Sequence, residues 1–342
     1  MTTSVPGVDA VALTSWLDGM GCGQGDVTLI PLAGGTQNIV VRVMREGFDA
    51  VLRRPPLHAT PEHQASILRE AGILEILSQS DVPHPRLLHV CADESVIGSA
   101  FFLMITIEGV GITTEPPPWV DDPEALRALS LSFVDAIAPL AQVDGIAVGL
   151  GSQDRVAGWP QRQVDRWLGQ LERYERFEGW QGAESASLDD LVALLRSREH
   201  VSFQPGMIHG DYHVANTLVS RTHPQVAAII DWELATFGDP LLDLAELLAT
   251  WPRKSGRNSP TVVFAAPGLA TAQELVAHYE QVSARSIEDL DWYYALACLR
   301  LGVLLEGTHA RAKAGLVEQD VGMEFRAKAH ALFDQGLRHW DW

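Results

Sequence analysis

Apolar positions along the chain follow two periods. Residues 8–18, VDAVALTSWLD, set them at helical spacing, and the glycine-rich GMGCGQG behind them predicts the end of a short amphipathic helix. VTLIPLAGGTQNIVVRVMREGFDAVLRRPP then alternates apolar and polar residues as strands do, with one turn at the glycine pair Gly34 and Gly35 and a second at REGFD. Thr60 and Pro61 predict a helix start, because proline at the first helical position gives up no hydrogen bond. That helix, PEHQASILREAGILEILSQS, stops before DVPHP, whose prolines cannot continue it. RLLHVCA and AFFLMITI read as two more strands.

The Gly- and Pro-rich EGVGITTEPPP marks a boundary. Beyond it the spacing predicts helices over 122–143, 160–178, 187–199, 240–251, 270–284, 288–312 and 318–338. Only GMIHGDYHVANTLVS through QVAAIID reads as strand among them. The expected class is α+β by segregation: a small β-rich N-terminal lobe over 1–107 and a large, mainly helical C-terminal lobe over 108–342. A length of 342 residues, too many for one comfortable core, agrees with two lobes.

Composition narrows the function classes. The formal net charge of -19 argues against a nucleic-acid surface, which needs clustered Lys and Arg. Cys22, Cys91 and Cys298 are far apart and form no Cys-x-x-Cys pair, which argues against a thiolate zinc site or a disulfide framework. The first residues lack the basic start and apolar core of a signal peptide, and no apolar run approaches the ~20 residues of a membrane helix. A soluble cytoplasmic protein with no nucleic-acid or membrane partner is expected; the oligomeric state is not legible. Of 25 basic residues only Lys254, Lys313 and Lys328 are lysines.

The polar residues inside MIHGDYHVANTLV are the chemical signal. His209, Asp211 and Asn216 have the spacing H-x-D-x-x-x-x-N, and Asp231 follows Asp211 by twenty residues at the end of a second strand-like run. Paired as a hairpin, the two runs would bring Asp211, Asn216 and Asp231 to one end. Hard Mg²⁺ takes oxygen ligands while keeping waters and phosphate oxygens, so one carboxylate and one amide oxygen suffice. A separate carboxylate must then orient the attacking hydroxyl and accept its proton. Taken alone, a single Asp in a hairpin is most often a turn residue.

These motifs, HGDYHVAN at 209–216 and IIDWELATFGDPLLDLA at 229–245, resemble those of the aminoglycoside phosphotransferase family, which includes choline and homoserine kinases. GGTQN at 34–38, VLRRPP at 51–56 and Glu70 fit its small lobe. VLRRPP with ESVIGSAFFLM is most similar to the kinase-like domain fused ahead of certain acyl-CoA dehydrogenases. The resemblance implies a two-lobed protein-kinase-like fold that uses ATP or GTP with Mg²⁺ and phosphorylates a hydroxyl of a small molecule. It implies that Asp211 is the catalytic base or hydroxyl-orienting residue, that His209 braces the loop, and that Asn216 and Asp231 hold Mg²⁺. Asp239 would cap the helix that Pro240 starts, and Asp243 would pin the loop.

Gly34 and Gly35 would let backbone N–H groups approach phosphates, with Thr36 and Asn38 adding polar contacts. With no lysine before residue 254, Arg53 stands where protein kinases place theirs, and Glu70 is its expected partner. By strand parity Arg53 shares the face of Val51, and Arg54 points the other way, to solvent. Met104 and Ile107 would sandwich an adenine ring. Glu233, Trp159, Trp251, Tyr293, Tyr294, Arg300 and His309 are candidates to line the acceptor site, the tryptophans fitting the core better. A hydroxy acid or hydroxyacyl thioester is the expected acceptor. A polycationic aminoglycoside and an inactive nucleotide-binding regulatory protein are the alternatives.

Overall fold

A computed structural model describes residues 5–32, 38–253, 261–262 and 264–338. Gly34, Gly35 and Thr36, expected to approach phosphates, lie outside the described residues. Chain contacts divide the protein into two compact units, Met1–Gly109 with Ala227–Ala235, and Val110–Val226 with Thr236–Trp342.

The first unit is a five-stranded antiparallel sheet with two helices. Its strands β1 (Gln24–Pro31), β2 (Ile39–Glu46), β3 (Phe48–Arg54), β4 (Leu87–Cys91) and β5 (Phe101–Ile105) run in the order β1-β2-β3-β5-β4. Helix α1 (Ala10–Gly19) starts on Asp9, whose carboxylate accepts the Val11 and Ala12 amides. Its Leu13 and Leu17 join Val27, Leu29, Val41, Val43, Leu52, Phe101 and Leu103 in one core on one face of the sheet. Helix α2 (Pro61–Leu77) starts at Thr60 with Pro61 in its first turn, as the sequence predicts. It buries Ile67, Ala71, Ile73, Leu74 and Leu77 along with one charged residue, Glu70.

Register fixes which side chains of β3 share a face. Val51 stands opposite Met104 of β5, and Arg53 opposite Phe102, so Arg53 takes the face that α2 covers while Leu52 and Arg54 take the α1 face. The expectation that Arg54 reaches solvent is wrong. It is 3% exposed; its guanidinium donates to the carbonyls of Pro55, Gly7 and Ile97. Parity correctly turned Arg54 away from Arg53, but it could not show that the segment around Val5–Val8, itself buried, closes over that side.

A two-residue strand, β6 (Gly109–Val110), holds the last residue of the first unit's opening segment and the first residue of the second unit. That unit contains α3 (Pro123–Ile137), α4 (Trp159–Glu172), α5 (Ala186–Ser197), β7 (Gly206–Ile208), β8 (Thr217–Ser220), β9 (Val226–Ile229, whose last residues belong to the first unit), β10 (Thr236–Gly238), α6 (Leu241–Ala249), α7 (Ala272–Ser283), α8 (Leu290–Lys313) and α9 (Gln319–Gly336). β7 and β10 pair antiparallel, Ile208 opposite Thr236. α6 is buried on every side, and α8 nearly so. A Cβ at Gly302 would lie 2.2 Å from the Phe333 ring, so the absence of a side chain there is what lets α8 and α9 approach. No helix among the described residues is long and apolar enough to cross a membrane.

Arg54 yields the first prediction. Arg54→Met keeps the side chain's length but leaves buried carbonyls without their charged donor, a loss of about 2–3 kcal/mol. Urea denaturation should show the midpoint falling at constant slope; a shift within about 0.5 kcal/mol, the range of a surface substitution, would contradict this placement.

Candidate active site

In the first unit the site is built around one buried guanidinium. Arg53 Nε lies 2.9 Å from Glu70 Oε2 of α2, and Nη2 lies 2.6 Å from Asp231 Oδ1 and 3.6 Å from Glu233 Oε2. Arg53 is 8% exposed and Glu70 3%. Asn38 donates Nδ2–H to Glu233 Oε2 at 3.3 Å, which ties the start of β2 to the same carboxylate. Arg69, beside Glu70 on α2, donates to the carbonyls of Glu233, at 3.0 Å, and Ala235. Val51 is buried, and Met104 and Ile107, the expected adenine contacts, are half-buried.

The segment carrying Asp231 has a strained start. Asp231 has φ 66° and ψ 62°, the left-handed region that asparagine and aspartate tolerate best among residues with a Cβ. A single 3₁₀ turn, Trp232–Leu234, follows, and the buried Trp232 indole donates to the Ile229 carbonyl at 2.9 Å. Among the described residues no hydrogen bond or ion pair of Asp231 uses Oδ2, and its side chain is 38% exposed.

Three carboxylates sharing one guanidinium unbalance the cluster. Burial works against the Arg53 charge, but Glu70, Asp231 and Glu233 outweigh it and push the guanidinium above its ordinary value. Glu70 is the most enclosed of the three. Burial, reinforced by Asp231 and Glu233 and opposed by Arg53, pushes its carboxyl up to about 7.

In the second unit the site is the loop between β7 and β8. Gly210 has φ 79°, which a residue with a side chain adopts at a cost. The amides of His209 and Gly210 donate to Asp243 of α6 at 2.7 and 2.9 Å. His209 is fully buried, and its Nδ1 accepts the Asp211 amide at 3.3 Å. Asn216 donates Nδ2–H to Asp211 Oδ2 and to the Asp211 carbonyl, both at 2.9 Å. Among the described residues none of its hydrogen bonds uses Oδ1. Burial opposes ionisation of Asp211, yet His213, with His209 and Arg300, outweighs it and holds the carboxyl below its ordinary value. Asp239 accepts the Leu241 amide at the start of α6 at 3.0 Å, and also the Gln204 amide and the Tyr293 hydroxyl.

Of the loop's neighbours, His213 and Glu246 were given no role from sequence, and Arg300 was expected at the acceptor site instead. His213 Nε2 stands 3.6 Å from Asp211 Oδ2 and 3.3 Å from Asn216 Nδ2; the motif names it, but only the folded loop shows what it faces. Arg300 and Glu246 lie beneath the loop, and nothing in their spacing announces that. Tyr293, Tyr294, Arg300 and His309 are at most 5% exposed, so they do not line an acceptor site as expected; most of α8 is buried. Trp159 and Trp251 are core residues, as expected.

The model of the phosphotransferase enzyme family (APH) matches residues 28–284. The chain belongs to this family. It is 26% identical over 321 residues to acyl-CoA dehydrogenase family member 11 of Gallus gallus, covering 92% of this chain and 40% of that protein. The chain thus spans about two fifths of that relative's length. Among solved structures it is similar to a presumed aminoglycoside phosphotransferase of Ralstonia eutropha JMP134, at 27% identity and a TM-score of 0.76, covering 96% of this chain and 98% of the other. The GDP complex of aminoglycoside 2'-phosphotransferase-IIIa has the same fold at 18% identity and a TM-score of 0.62, with 94% and 99% covered. The fold is the two-lobed protein-kinase-like one, with a small antiparallel-sheet lobe and a mainly helical second part.

The Glu70 environment predicts a pH dependence of stability. Its folded pKa, about 7, lies above its ordinary 4.5. Between those values the folded chain binds more protons than the unfolded one, so this group makes stability fall as pH rises through that window. Asp211, shifted the other way, acts only at more acidic pH. The urea midpoint should drop between about pH 5 and pH 8, and drop less in Glu70→Gln. Equal slopes in the two proteins would show that Glu70 is not responsible.

Proposed function

We propose that the chain is a nucleotide-dependent kinase that transfers the γ-phosphoryl group of ATP or GTP to a hydroxyl of a small molecule. The observation that carries this is the pairing of Asp211 with Asn216, in which the aspartate is held ionised and oriented. An ionised carboxylate so fixed can accept a hydrogen bond from an acceptor hydroxyl, align it on the phosphorus and take its proton as the new ester bond forms.

The residues fit Mg²⁺ on their own chemistry. Asn216 spends its N–H groups on Asp211, leaving Oδ1, and Asp231 spends Oδ1 on Arg53, leaving Oδ2. These are hard oxygen donors of the kind Mg²⁺ takes alongside water and phosphate. A bound Mg²⁺ would neutralise phosphate charge. Arg53, fixed by Glu70, supplies the guanidinium that contacts phosphate in the role a lysine fills in protein kinases. Gly34, Gly35, Thr36 and Asn38 contribute phosphate contacts, and Met104 and Ile107 contact the base. His209 acts by bracing Asp211.

A hydroxy acid or hydroxyacyl thioester is the proposed acceptor. The support is the relationship to a protein named as an acyl-CoA dehydrogenase family member over 92% of this chain. The presumed aminoglycoside phosphotransferase among the similar structures favours the second reading, an aminoglycoside acceptor.

ADP release over a panel of hydroxy acids, hydroxyacyl thioesters and aminoglycosides tests both readings. Turnover above the ATPase background should appear with the acyl acceptors, and Asp211→Asn should lower kcat by about 10²-fold or more while Mg-nucleotide still binds. Turnover with aminoglycosides alone selects the second acceptor. Turnover with none, or an Asp211→Asn protein as fast as wild type, refutes the kinase assignment.

A further inference from the structure

Beneath the Asp211 loop lies a second charged pair. Glu246, three residues after Asp243 on α6, accepts the Tyr212 amide through Oε2 at 3.2 Å. Its Oε1 lies 2.6 Å from Arg300 Nη1, and Arg300 Nη2 donates to the Gly210 carbonyl at 2.7 Å. The guanidinium also lies over the Trp167 ring of α4, 4.9 Å from its centroid. Glu246 is 2% exposed and Arg300 5%.

We propose that Arg300 and Glu246 are positioning residues for Asp211, holding the peptide groups on its two sides so that its carboxylate meets the acceptor hydroxyl in one orientation. This deepens the proposed function and rests on Asp211 having that role. A buried ion pair is a poor way to stabilise a helix interface, since apolar residues of the same volume do as well or better. What apolar residues cannot do is bond the backbone. Here one planar fork reaches the carbonyl before Asp211, and the carboxylate that neutralises it reaches the amide after it. Asp243 holds the loop one step earlier, at His209 and Gly210. It leaves the Tyr212 amide to Glu246, while Asn216 takes the Asp211 carbonyl of the same peptide.

The geometry requires arginine at 300. A lysine ammonium is a single point and does not reach the Gly210 carbonyl and Glu246 Oε1 in the same fixed fork. Misplacing a reacting group by about 1 Å costs up to about 10²-fold in rate.

The test uses the full chain with Arg300→Lys, and Glu246→Gln as a second variant that keeps volume and the Tyr212 acceptor. Turnover is expressed per Mg-ADP binding site, so misfolded protein is not counted. Arg300→Lys should lower kcat about tenfold or more with KM for nucleotide within about twofold. In an Asp211→Asn background the same substitution should change residual turnover by less than about twofold, because the residue it acts through is gone. Amide hydrogen exchange at His209–Tyr212, read without any acceptor, should quicken in both variants. Equal losses in the two backgrounds, or unchanged exchange in the loop, would overturn the proposal. If wild type is inert toward every acceptor and toward water, the kinase reading fails, and loop exchange still decides whether this pair holds the Asp211 peptides.

Discussion

A guanidinium buried at the centre of a β-sheet face must be surrounded by carboxylates, and most of the first unit follows from how Arg53 meets that requirement. Strand parity turns it toward α2, where Glu70 is buried for no apolar reason. Its Nε takes Glu70, and its Nη2 takes Asp231, 178 residues away in sequence. That second contact, with the Arg69 bonds to the Glu233 and Ala235 carbonyls, ties Ala227–Ala235 to this unit. A lysine has one ammonium for two partners lying in different directions; the planar arginine has separate nitrogens for each.

The second unit faces the opposite requirement and meets it with backbone. Asp243 and Glu246 project from a helix with no exposed side, where burial raises their carboxyls to about 6 and about 7. The amides of Gly210 and His209, then Arg300, offset the burial of Asp243, whereas for Glu246 Arg300 comes first and the Tyr212 amide last. Asp211, at the top of the same network and 31% exposed at its side chain, is instead held ionised by His213, His209 and Arg300. Carboxylates that share one arginine therefore separate into two kinds: deep ones that resist charge and shape the loop, and an accessible one that keeps it.

Period and punctuation made the elements legible. Pro61, Pro123 and Pro160 each sit in the first turn of a helix, and the strands of the first sheet follow the alternation. The motif residues were legible because their types are unusual between apolar runs: an Asp, an Asn and an Asp at fixed spacing have few structural reasons to be there. Arg53 and Glu70 were legible because the one question, which face, has a two-state answer. Arg54 was misread because parity names a face but not what covers it. Glu246 and Arg300 were unreadable for a stronger reason. Besides each other, they bond the Tyr212 amide and the Gly210 carbonyl, 34 and 90 residues away, and backbone atoms leave no mark on the sequence.

Charge in the two clusters bears on the proposed chemistry. Each has one arginine and three acidic side chains: Arg53 with Glu70, Asp231 and Glu233, and Arg300 with Asp211, Asp243 and Glu246. In each, the most enclosed acids offset part of the excess by holding protons more tightly. In the second cluster the charge is kept on the more accessible member, Asp211, which His213, His209 and Arg300 hold below its ordinary value. In the proposed function the positive charge comes from Arg53 and from the divalent cation that the free oxygens of Asp231 and Asn216 suit. On this view the scarcity of lysine is no defect, because Arg53, whose direction is fixed by Glu70, would supply the phosphate-facing charge.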